Sequence, residues 1–199
     1  MISFNRIRRS MLFCALAVLP VAAQDAPKLV ESGNVVVAGQ SAPYLIRRLP
    51  VNAFPDLPDA VADELIQRQC LVPQSYQAHH PENVVHASLE RAGSSDWAVL
   101  CSVEGQVSLL VFFGDGPERA VVVASAAEKE RLQRHDSSGV LGFNWAIDPA
   151  APEAVHQAQS GLERKPPRID HDALVDIVID RKTVYRFFSK GKWTFLDMP

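Results

Sequence analysis

Asp96-Trp97-Ala98-Val99-Leu100-Cys101-Ser102-Val103-Glu104-Gly105-Gln106-Val107-Ser108-Leu109-Leu110-Val111-Phe112-Phe113 decides the fold, because it sets two apolar runs on either side of one polar turn. An interruption as short as Glu104-Gly105-Gln106 can close a hairpin but cannot hold a parallel crossover, which takes a dozen or more residues. Upstream, Val84-Val85-His86-Ala87-Ser88-Leu89 alternates and is separated from the first run by Gly93-Ser94-Ser95. Three consecutive antiparallel strands follow. The middle one is apolar nearly throughout, so it is expected to be buried on both faces.

The same grammar returns at the C-terminal end. Ala173 to Ile179, Thr183 to Phe188 and Lys192 to Leu196 are apolar runs broken by Asp180-Arg181-Lys182 and Ser189-Lys190-Gly191. They read as a second meander. Between the meanders lie a short apolar run at 120–123, a charged stretch from Ala126 to His135 that reads as a short helix, and a strand at 140–147. A polar connector from Pro149 to Pro167 is expected to hold one helical turn around Ala154-Val155-His156. Ahead of the first meander, Leu57, Val61 and Leu65 recur at helical spacing behind Pro58, which predicts an amphipathic helix over 57–68. The expected architecture is α+β: a mostly antiparallel β-sheet built from two β-meanders, with one main amphipathic helix packed on it, in a single globular domain over 51–199. Residues 24–50 read as a poorly ordered lead-in.

The N-terminus carries Arg6, Arg8 and Arg9, then an uncharged apolar run from Met11 to Val21, then the small residues Ala22 and Ala23 ahead of Gln24-Asp25. The run is shorter than the roughly 20 residues a spanning helix needs. The pattern is that of a secretory signal peptide over 1–23, cleaved after Ala23. Export to the periplasm is the expectation, with the extracellular space as the alternative and no membrane anchor after cleavage. Losing three arginines from the 20 basic residues leaves 17 against 23 acids, a formal charge of −6 for the mature chain. A chain of that charge without a basic stripe is a poor partner for nucleic acid. Cys14 leaves with the signal, so Cys70 and Cys101 remain as an even pair in an oxidising compartment, and one structural disulfide is expected.

The two meanders share an acid, an apolar strand, a polar turn and an aromatic-ended strand: Asp96 through Phe113, and Asp176 through Phe188. Over about Cys70 to Gly114 and the last thirty residues, this resembles the FG-GAP or VCBS type of repeat, as found in a group of uncharacterised exported bacterial proteins. That resemblance implies a calcium loop ahead of the first strand. Here Glu90-Arg91-Ala92-Gly93-Ser94-Ser95-Asp96 lacks the alternating acids a cation with six to eight oxygen ligands requires. Asp96 and Asp176 are better read as strand-start residues whose carboxylates accept turn N–H groups.

No reaction is legible. His79, His80, His86, His171 and Asp172 could converge as zinc ligands if the meanders pack together, which is the basis for a metal-assisted hydrolase reading. Ser94 or Ser95 with His171 and Asp172 would make a triad, but no nucleophile elbow accompanies them. Nothing calls for a cofactor. Trp97, Phe113, Phe188 and Trp193 at the strand ends admit two readings, as core filling and as an exposed platform for an envelope protein or glycan. A non-enzymatic binding module is the leading expectation, followed by the hydrolase and by an inhibitor of an envelope-directed enzyme.

Overall fold

A computed structural model describes residues 28–162, 165 and 168–198. The expected signal peptide and residues 24–27 lie outside the described residues. Nine strands form one sheet: β1 (Val30–Val37), β2 (Gln40–Pro50), β3 (Leu71–Gln74), β4 (Val84–Ala87), β5 (Asp96–Val103), β6 (Gln106–Phe113), β7 (Ala120–Ala127), β8 (Leu132–Arg134) and β9 (Leu141–Phe143). Four more form a second: β10 (Trp145–Ala150), β11 (Ala173–Val178), β12 (Lys182–Ser189) and β13 (Lys192–Met198). The helices are α1 (Asp59–Gln67) and α2 (Pro152–Gln159). Pairing is antiparallel except between β2 and β9, which run parallel. The expected mostly antiparallel α+β architecture is therefore what the chain adopts.

The period of two along each strand sorts side chains into layers. Trp97, Val99 and Cys101 of β5, with Leu110 and Phe112 of β6, join Val61 and Leu65 of α1 in one core. Ala98 and Leu100, with Leu109, Val111 and Phe113, join Trp145, Ile147 and Leu174 of the second sheet in another. Phe187 and Leu196 on the far face of that sheet pack with Val155 of α2. The order of layers is α1, nine-stranded sheet, four-stranded sheet, α2. β5 is sandwiched, and its side chains are buried from Asp96 to Ser102, as its near-continuous apolar sequence requires.

α1 starts after Pro58 with Asp59 in its first turn, a charge that suits the positive end of the helix dipole. Leu57 packs just ahead of it, and Val61 and Leu65 are fully buried. Three hairpins turn on pairs with both φ values positive, Ala38-Gly39, Glu104-Gly105 and Lys190-Gly191. That geometry belongs to the two-residue turn whose twist matches the flanking strands, and glycine supplies its second position at little cost.

Several expectations are corrected. Residues 28–50 are not a poorly ordered lead-in: they form the long β1–β2 hairpin, whose inward side chains Ala42, Tyr44, Ile46 and Arg48 are buried. Ala126 to His135 is not a helix. β7 runs on to Ala127, a single 3-10 turn covers Glu128–Arg131, and β8 then pairs with β9. Charge content suggested a solvated helix, but Glu128 is drawn into a buried ion pair that ends the regular structure. The connector holds two helical turns rather than one, begun by Pro152.

Candidate functional site

Cys70 and Cys101 form a disulfide that ties the end of α1 to β5, with Cα atoms 5.3 Å apart. The histidines do not meet. His79 and His80 are exposed in the loop after β3, and His86 is exposed on β4, where its ring stacks on Trp97 at 4.4 Å between centroids. His171 is buried with Nδ1 2.9 Å from the Asp172 carbonyl. Asp172 is committed to the backbone of Ser88, accepting its N–H through Oδ2 at 2.9 Å and donating its own N–H to the Ser88 carbonyl. Among the described residues no three His, Cys, Asp or Glu side chains group to hold a metal ion. Ser95 lies not near His171 but between His86 Nε2 and Asp115 Oδ1, 2.9 Å from each.

Asp96 does cap its loop: its carboxylate accepts the N–H groups of Glu90 and Gly114 at 2.8 and 2.9 Å. Asp176 does not. It sits within β11, where Oδ1 accepts the Trp145 indole N–H at 2.6 Å and Oδ2 accepts Arg186 Nε at 2.7 Å.

Three of the four strand-end aromatics come together. Phe113, at the end of β6, lies 4.8 Å from Phe188 and 6.1 Å from Trp193 between ring centroids, so the cluster joins the two sheets. Phe113 is buried, while Phe188 and Trp193 are partly open. Trp97 is elsewhere, buried on the α1 side. Phe195 shares the face of Trp193, two residues along β13, and stands directly opposite Arg186 of β12; it is 64% exposed. Here the inner face of the second sheet projects past the first as a ledge.

The ledge carries charge as well. The Arg131 guanidinium lies 4.2 Å above the Trp145 ring centroid, and Trp145 in turn bonds Asp176, which bonds Arg186. Burial holds Arg131 below the usual arginine range, and Arg186 nearby pushes it the same way. Neither Arg131 nor Phe195 was singled out by the sequence. Arg131 ends a Glu-Lys-Glu-Arg run indistinguishable from a solvated helix face, whereas Phe195 could have been found from its two-residue spacing to Trp193.

A hollow of about 650 Å³ lies at the other end of the first sheet and is also invisible in the sequence. Its floor is a closed polar network. Arg48 donates through Nε to Glu128 Oε1 at 2.7 Å and through Nη2 to Glu31 Oε2 at 2.7 Å and to Glu128 Oε2. Ser102 Oγ donates to Glu128 at 2.7 Å, and the Tyr44 hydroxyl donates to Glu31 at 2.7 Å. The Arg48 hydrogen bond lowers the Glu31 pKa, and the Glu31 hydrogen bond raises that of Tyr44. With its carboxylates paired to its guanidinium, this network holds β2, β5 and the end of β7 together. A shallower groove of about 410 Å³ is lined by Tyr76, His79, His135 and Gly142.

No family model, curated protein or solved structure matches this chain. No described helix is long and apolar enough to cross a membrane.

Proposed function

We propose that the protein is a non-enzymatic binding module exported to the bacterial periplasm, and that the aromatic ledge is where it meets its partner. The observation that carries this reading is Phe195, a large apolar ring 64% exposed on the same strand face as Trp193, whose ring cluster reaches the core. Exposed rings on a rigid sheet, bordered by arginine, are the composition of interface centres. The signal-like N-terminus and the disulfide support export.

The test is photo-crosslinking in cells from residue 195, with residue 153 on the exposed side of α2 as control. A saturable envelope adduct formed only from 195, and reproduced with the purified partner, is the expected result. Identical adducts from both positions would overturn the assignment of the ledge.

A further inference from the structure

Along the chain of contacts through the Trp145 ring, the ledge places two cations, Arg131 and Arg186, and one anion, Asp176, whose oxygens are already committed. Asp176 gives Oδ1 to the Trp145 indole and Oδ2 to Arg186 Nε, leaving the Arg186 Nη groups without a carboxylate partner among the described residues. Arg131 has no ion pair among the described residues; its contact is the Trp145 ring beneath it. A guanidinium held over an aromatic ring with no ion pair keeps N–H donors available to grip a planar acceptor in two-point fashion. We infer that Arg131 and Arg186 together bind a carboxylate, the C-terminal carboxylate of a peptide whose last side chain is apolar and rests on Phe195.

The inference rests on the ledge being the recognition surface and adds the chemistry of its ligand. Charge favours a monoanion over a dianion: Asp176 and the exposed Glu130 both lie near the two guanidiniums, so a phosphate dianion meets twice the carboxylate repulsion that a single carboxylate does. The remaining charges of the face, Lys182 and Asp197, pair with each other at 2.9 Å, and its apolar part is made by Phe188, Trp193 and Phe195. Sugar hydroxyls would find few partners there, whereas an apolar side chain beside the carboxylate finds Phe195, directly across from Arg186. The burial that depresses the Arg131 pKa points the same way, because a bound anion relieves it.

The experiment titrates the ¹⁵N-labelled protein with N-acetyl-Ala-Ala-Phe as the free acid and as the C-terminal amide, following the Trp145 indole and arginine Nε signals. The acid is expected to saturate with these signals shifting, and the amide to bind about ten- to a hundredfold more weakly, the worth of charge-assisted hydrogen bonds. Arg131→Gln and Arg186→Gln should each erase most of that preference. Arg131→Lys keeps the charge but not the planar fork and should fall between; near-UV circular dichroism confirms that each variant is folded. Equal binding of acid and amide at the ledge overturns the carboxylate site while leaving the ledge as a binding surface. Glucuronic acid binding more tightly than the peptide overturns it in favour of a saccharide. Silence of every ledge signal to both peptides, with no specific crosslink from residue 195, removes both readings.

Discussion

Replacing Glu128 by alanine should unfold much of the protein's margin, and the structure gives the size. Glu128 is 2% exposed and Arg48 6%. Glu128 accepts two bonds from Arg48 and one from Ser102, so its removal strands a buried guanidinium and a buried hydroxyl. Breaking one side of a buried pair costs about 3–5 kcal/mol. Arg48 keeps Glu31 and the Lys28 carbonyl, which places the loss at the lower end, about 3 kcal/mol. Against a typical total of about 5–15 kcal/mol that is large. Equilibrium urea unfolding reads it as a fall in midpoint of about 1.5 M for a slope of roughly 2 kcal/mol/M. Arg48→Met with Glu128→Leu should recover most of the loss, because no buried charge is left alone. Glu31 adds a pH signature. Its pKa is lowered in the fold, so its contribution is present above the ordinary carboxyl value of 4.5 and is lost as pH falls through the folded value. Wild type should therefore lose stability in acid more steeply than the double variant. A Glu128→Ala loss under about 1 kcal/mol, or a double variant as unstable as the single, would refute the reasoning.

Replacing both Cys70 and Cys101 by serine reopens a loop with a sequence separation of 31 and should cost about 3.5 kcal/mol on the loop-entropy account, measured by the same unfolding assay. Gly142→Ala would place a Cβ 2.5 Å from Tyr76 Cβ and 3.1 Å from the His135 ring, and is expected to lower stability by about 1–3 kcal/mol, seen as a drop in Tm. Tyr76 is pushed up to about 12, first by burial and then by its hydrogen bond to Asp180. Its contribution to stability is complete below pH 10 and is lost as pH rises through 12; ultraviolet titration should show the tyrosine step near 12 disappearing in Tyr76→Phe, while the raised ionisation of Tyr44 persists.

The parts of the fold legible in the sequence are those governed by local rules. Glu104-Gly105 announces its hairpin because few residues other than glycine take the second turn position freely, and α1 is announced by Val61 and Leu65. The β1–β2 hairpin was missed because Ser32, Gly33 and Pro43 interrupt its apolar positions. What makes it a hairpin is partly remote: Tyr44 and Arg48 are fixed by Glu31 across the strand pair and by Glu128 from far along the chain. The same remoteness hid the site. Phe113, Phe188 and Trp193 carried an aromatic signal and were named, although only packing decides that Phe113 is buried while Phe195 is open. The role of Asp176 was misassigned because its partners, Trp145 and Arg186, come from different strands.

The parallel seam between β2 and β9 bears on how the chain reaches this state. Tyr44 and Leu45 wait for Leu141 and Gly142, so β9 and β8 cannot extend the sheet beyond β2 until most of the polypeptide is available. Loop closure of that span must be completed before the contact repays it, which places the chain among slow folders, in the millisecond-to-second class typical of non-local β topologies. Cys70 and Cys101 both precede β9, so their thiols can be joined while the seam is still open. An oxidised α1–β5 unit would then serve as the template on which the later strands assemble.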